Sequence, residues 1–127
     1  MIAVDTSALM AILLDGPGAN ACIDALADAE QIIISAGTAA EALIVAAHRN
    51  RGPAMAQLLD GMGFEIVSVT PAASRRIAAA YAKWGRGVHP AGLNFGDCFA
   101  YEVAKEHDCR LLYVGNDFVK TGIASAL

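Results

Sequence analysis

The sequence predicts a single α/β domain built on a parallel central sheet with helices on both faces. Short β-like apolar runs alternate along the chain with longer stretches of helical periodicity. Alanine, the best helix former, is the commonest residue. The chain has 127 residues and no internal repeat, enough to bury one core without disulfides or a structural metal. The expectation is therefore one domain over residues 1–127, with a sheet of four to five strands.

The elements follow in order. Residues 2–4 read as a short buried strand. Residues 6–14 read as a helix with Leu9, Ile12 and Leu13 on one side. Asp15-Gly16-Pro17-Gly18 is a turn, and a helix carrying Cys22, Ile23 and Leu26 at helical spacing runs on to 29. Ile32, Ile33 and Ile34 form the second strand. Thr38 is expected to open a helix that reaches 50, and Gly52-Pro53 separates it from another that reaches 62. Residues 64–69 are the third strand. Pro71 suits the first position of a helix that extends to Trp84. Residues 86–93 form a loop, Asn94 caps a helix ending near His107, and 111–114 are the fourth strand. The last residues add a helical turn or an edge strand.

Composition excludes several classes. The longest apolar run, from Ala8 to Leu14, has seven residues, far short of the roughly 18 a membrane span needs. No basic region precedes an apolar one at the start, which argues against a signal peptide. The three cysteines, Cys22, Cys98 and Cys109, form no CxxC pair; they read as reduced, buried residues of a cytoplasmic protein. Hydrophobic residues make up 56% and charged residues 17%, so part of the surface is expected to be covered by a partner. The formal net charge of −4 argues against coating nucleic acid by bulk charge, but not against cutting it.

In a parallel α/β sheet, ligands bind outside the carboxyl ends of the strands. Asp5 follows the first strand directly. Glu41 lies just inside the helix after the second, Asp97 just inside the helix before the fourth, and Asp117 in the turn after the fourth. Each has a plain structural reading. Thr38-Ala39-Ala40-Glu41 fits a capping box, and Asn94-Phe95-Gly96-Asp97 a variant of it. Asp5-Thr6-Ser7 fits a helix N-cap, and Gly115-Asn116-Asp117 a turn. Together they raise a further point. Carboxylates crowded at one edge repel unless a cation neutralises them, and oxygen ligands suit magnesium or manganese. Such a centre points to phosphoryl-transfer chemistry. No Walker A or GxGxxG sequence and no local nucleophile motif competes.

These residues also carry a family resemblance over nearly the whole length. Ile2-Ala3-Val4-Asp5-Thr6-Ser7-Ala8-Leu9, Thr38-Ala39-Ala40-Glu41, Leu93-Asn94-Phe95-Gly96-Asp97-Cys98-Phe99-Ala100-Tyr101 and Leu111-Leu112-Tyr113-Val114-Gly115-Asn116-Asp117-Phe118 resemble, in order, four motifs of PIN-domain ribonucleases of the VapC toxin type. The resemblance implies a PIN fold and a Mg²⁺-dependent endoribonuclease that a cognate VapB-like antitoxin neutralises, with a homodimer or a larger toxin–antitoxin assembly. It implies catalytic roles for Asp5, Glu41, Asp97 and Asp117, with Asp5, Asp97 and Asp117 on the metal and Thr6, Ser7 and Asn94 in support. Arg86, Lys83 and Trp84, in a basic and aromatic segment that also holds Arg75, Arg76, Tyr81 and His89, are candidate RNA contacts. For Arg75 and Arg76 a solvated helix face is the stronger reading, and His48 and His107 read as structural or surface residues. The alternatives are a catalytically silent PIN-fold binding module or another Mg²⁺-dependent α/β phosphoryl-transfer protein. Against a receiver domain, the third strand ends Val67-Ser68-Val69-Thr70-Pro71 without an acid; against a dehalogenase-like phosphatase, position 7 is Ser7 rather than aspartate.

Overall fold

The fold, a computed structural model, describes all of residues 1–127. Strands β1 (Ile2–Val4), β2 (Ile32–Ser35), β3 (Glu65–Val67) and β4 (Arg110–Leu112) form one parallel sheet in the order β3-β2-β1-β4. β1 lies at the centre, pairing Ile2 with Ile32 on one side and Val4 with Leu112 on the other. Six helices connect the strands: α1 (Thr6–Leu13), α2 (Ala19–Asp28), α3 (Ala36–His48), α4 (Gly52–Gly61), α5 (Pro71–Trp84) and α6 (Phe95–Glu106). After β4 come a 3-10 turn at Val119–Thr121 and a single bridge from Ser125 to Leu111, so both expectations for the last residues are met in short form.

Side-chain alternation along the strands divides the interior in two. Ala3, Ile33 and Leu111 face Ile77, Ala80, Cys98 and Val103 of α5 and α6. Val4, Ile34 and Leu112 face Leu9, Cys22, Ala42 and Met55 of α1 to α4.

Several boundaries differ from the sequence reading. Thr38 does not open α3. β2 runs on to Ser35, whose hydroxyl accepts from the Gly37 N–H at 3.2 Å and caps the helix directly where the strand ends. Thr38 lies inside the helix, fully buried, and its Oγ1 has no hydrogen-bond partner, so the capping box with Glu41 does not form. α3 stops at His48 rather than 50, because Asn50 turns into the left-handed region at φ 59°. β3 is shorter than 64–69: it is an edge strand with one partner, and Thr70 already caps α5, accepting from the Ala73 N–H at 3.1 Å. β4 ends at Leu112, two residues early, where the chain bends toward the Asp117 turn. All three cysteines are free; Cys22 and Cys98 are buried as expected, but Cys109 is only partly so.

Candidate active site

The carboxyl edge of the sheet collects the four acids. Asp5 leaves β1 as the N-cap of α1, its backbone N–H still donating to the Leu112 carbonyl at 3.0 Å. Its Oδ2 accepts from the Ser7 N–H at 3.0 Å and the Ser7 hydroxyl at 2.7 Å. Its Oδ1 is buried and has no partner at all. An unpaired buried carboxylate oxygen is costly. Burial pushes the Asp5 carboxyl up to about 7; the Ser7 bonds pull it down, while Asp97 and Glu41 add repulsion.

Asp97 is buried at the start of α6 and does form the expected capping box. Asn94 Oδ1 accepts from the Asp97 N–H at 2.8 Å, and Asp97 Oδ2 accepts from the Asn94 N–H at 3.0 Å. Capping and site membership are therefore not rivals here: the box fixes one oxygen of the carboxylate. Asp97 is raised to about 6, chiefly by burial, against the pull of the Asn94 bond; the Asp117 and Glu41 charges add to the rise and Arg86 opposes it.

Glu41 projects from the second turn of α3, where it is partly buried. Its Oε1 accepts from the Thr6 hydroxyl at 2.5 Å, across 35 residues of sequence. Asp117 is exposed in the turn after β4, near enough to Asp97 to act on its charge. The structure thus brings Asp5, Glu41 and Asp97 to one place, with Asp117 at its rim. As the side chains stand, no three His, Cys, Asp or Glu groups are gathered tightly enough to hold a metal ion. What fits a hard cation is the donor chemistry: oxygen ligands only, one of them buried and unpaired, and two carboxyls held up by burial and by neighbouring carboxylates.

The basic and aromatic segment is more structural than its composition suggested. Arg76 Nε meets Glu102 at 3.0 Å and Glu106 at 3.3 Å, tying α5 to α6. Trp84 is half-buried, donates from Nε1 to the Tyr101 hydroxyl at 3.0 Å and packs edge-on with His89, with Lys83 Nζ 4.9 Å from its ring centre. His89 accepts from the Ala91 N–H at 3.0 Å and holds the loop. Arg86 is exposed and interacts with Asp97, making it the cation of this segment that the site feels.

Two further couplings escaped the sequence. Ser7 Oγ also accepts from the Val114 N–H at 3.0 Å, joining residues 107 positions apart, and no local pattern announces such a bond. Gly96 lies against Glu41. The signal available in the sequence was a glycine in the first turn of the expected helix, directly before Asp97.

Comparison with known proteins agrees with this geometry. The profile of the PIN domain family matches residues 2–124. Ribonuclease VapC28 of Mycobacterium tuberculosis is 45% identical over 129 residues, covering 98% of this chain and 96% of the relative. Among solved structures, the sarcin–ricin loop-cleaving toxin VapC20 of Mycobacterium tuberculosis superposes with a TM-score of 0.80 at 15% identity, covering 98% of this chain and 97% of the other. VapBC2 of Rickettsia felis, solved bound to a promoter DNA fragment, gives 0.72 at 14% identity, covering 98% and 96%. Those two likenesses show the fold, and the sequence match shows the family: this chain belongs to the PIN-domain VapC ribonucleases.

Proposed function

We propose that this endoribonuclease hydrolyses RNA phosphodiester bonds at a divalent-cation centre formed by Asp5, Asp97 and Asp117, with Glu41 serving the attacking water. The observation that carries the reading is Asp5 Oδ1, a buried carboxylate oxygen with no partner beside two further carboxylates. A divalent cation bound there supplies Lewis acidity, activating water and offsetting the charge that develops on the phosphate. The hard oxygen set favours Mg²⁺, with Mn²⁺ as a substitute.

The chain's own groups have separable tasks. Ser7 fixes Asp5 Oδ2 and leaves Oδ1 for the cation. Asn94 fixes Asp97 Oδ2. Thr6 holds Glu41 by a hydrogen bond to Oε1, placing a carboxylate that can take a proton from water. Arg86, beside Asp97, meets the RNA backbone; Lys83 and Trp84, stacked together at the end of α5, are further RNA contacts.

The protein works in the cytoplasm as the toxin of a VapBC-type pair, a reading supported by its VapC relatives and by its fold likeness to VapBC2. No helix is long and apolar enough to cross a membrane. Phe95 is 70% exposed, Ile44 59% and Ile66 54%, apolar surface that suits burial against a VapB-like antitoxin or a second copy.

The test uses the full chain freed of antitoxin, incubated with structured RNAs in Mg²⁺ or in EDTA, beside Asp5→Asn and Asp97→Asn. Cleavage in Mg²⁺ alone, lost in both variants, is the expected result. Cleavage that persists in EDTA or in both variants sinks the metal-centre reading, and no cleavage under any condition favours a silent binding module.

A further inference from the structure

We infer that Gly96 is a positioning residue: the lack of a side chain there is what allows Glu41 to stand beside Asp97. A Cβ built on Gly96 falls inside the Glu41 carboxylate, overlapping Oε2 and lying 2.5 Å from Cδ and 2.9 Å from Oε1. Nothing else about the position calls for glycine. Its φ is not in the left-handed region, and it occupies the first turn of α6, where alanine is the better helix former. The inference rests on the reading that Glu41 takes part in cleavage.

Gly96 belongs to a reciprocal pair. At the same crossing of α3 and α6, a Cβ on Gly37 would overlap the ring of Phe99. Gly37 lies one turn before Glu41 on α3, and Phe99 about one turn after Gly96 on α6. Each helix thus offers a glycine to the other's large side chain, and the two elements bearing the acids come together closely. The consequences differ. At Gly37 the obstacle is a packed aromatic ring, so a side chain there strains the core. At Gly96 the obstacle is the end of a flexible side chain, which can swing aside without moving the backbone. A methyl group at 96 therefore evicts Glu41 from its place and breaks the Thr6–Glu41 bond while leaving the fold standing.

The experiment is a double-mutant cycle on the full chain freed of antitoxin, with kcat and KM measured on one RNA in Mg²⁺. Gly96→Ala is expected to lower kcat about tenfold or more with KM within about twofold, and Tm within about 4 °C of the parent. Glu41→Asp withdraws the carboxylate by one methylene and clears the new methyl. In that background Gly96→Ala is expected to cost less than about threefold, a non-additivity that a general structural defect does not produce. Unchanged kcat in Gly96→Ala, or an equal loss in both backgrounds, overturns the inference. If Gly96→Ala does not fold, a folded Gly96→Ala/Glu41→Asp chain supports the clash, and failure of both overturns it. Glu41→Gln separates the two levels. Wild-type cleavage by that variant defeats the role given to Glu41 and this inference with it. A loss there, beside an unaffected Gly96→Ala, defeats the positioning claim alone.

Discussion

The Ser7 hydroxyl donates to Asp5 Oδ2 at 2.7 Å and accepts from the Val114 N–H at 3.0 Å. One small group therefore joins the end of β1 to the segment that leads from β4 to Asp117. It fixes the orientation of the Asp5 carboxylate and the start of the Asp117 turn together. Ser7→Ala keeps the backbone bond from residue 7 to Asp5 but leaves the Val114 N–H without its partner. The expected cost is about 1–2 kcal/mol in stability, with a larger relative loss in cleavage, about 10- to 100-fold in kcat. Denaturant unfolding and single-turnover cleavage measured on the same preparation check both; a stability loss with undiminished kcat would show that Ser7 serves the fold alone.

The raised carboxyls make the metal-free protein sensitive to pH in a particular direction. Asp5 titrates at about 7 in the fold against 3.8 in its unperturbed state, and Asp97 at about 6. Between pH 4 and pH 7 the folded chain retains protons that the unfolded chain has released. Stability contributed by these groups is thus greatest at low pH, falls as pH rises through that window, and levels off above about 7. Asp5→Asn removes the buried charge, so its contribution to the slope disappears and the metal-free variant gains on the order of 2 kcal/mol near pH 8. Unfolding in EDTA at pH 4.5, 6 and 8 tests this, and parallel curves for parent and variant would refute it.

Much of this was legible in the sequence for physical reasons. The central strands declared themselves because a parallel sheet covered on both faces needs continuous apolar runs, as in Ile32-Ile33-Ile34. The convergence of Asp5, Glu41 and Asp97 followed from topology alone: parallel strands send their carboxyl ends to one edge. What failed was the competition between neighbours. Ser35 and Thr38 can each cap a helix, and only the exact end of β2 decides in favour of Ser35. What stayed hidden were bonds between distant segments. Thr6 to Glu41, Ser7 to Val114 and Arg76 to Glu102 depend on how helices cross, which periodicity does not encode. The net charge of −4 did carry a message, since removing the four edge acids leaves nine acids against nine bases.

Arg76, read from the sequence as part of a solvated helix face, is instead tied into the α5–α6 interface by an ion pair. Its side chain is 40% exposed, but that of Glu102 is only 7% exposed, and Glu102 makes an ion pair with no other residue. Arg76→Ala strands that carboxylate in the α5–α6 interface, at an expected cost of about 1–3 kcal/mol once the exposure of the arginine is discounted. Cleavage by the folded variant should remain within about twofold of the parent, because Arg76 pairs with α6 rather than facing RNA. Thermal unfolding and a cleavage assay below Tm distinguish the outcomes; a steep rise in KM with unchanged Tm would place Arg76 on the RNA instead.

Cation binding should appear as stability, independently of any cleavage. A ligand that binds only the folded state at about 100 times its Kd adds about 2.7 kcal/mol, which for a chain of this size raises Tm by roughly 8–10 °C. The gain should be larger at pH 8 than at pH 6, because the cation and the protons held by Asp5 and Asp97 compete for the same oxygens. Asp5→Asn/Asp97→Asn should show little shift with Mg²⁺ at either pH. Titrating Mg²⁺ into EDTA-stripped protein while following Tm makes the comparison. An equal shift in parent and double variant would assign the effect to nonspecific salt rather than to the carboxyl edge of the sheet.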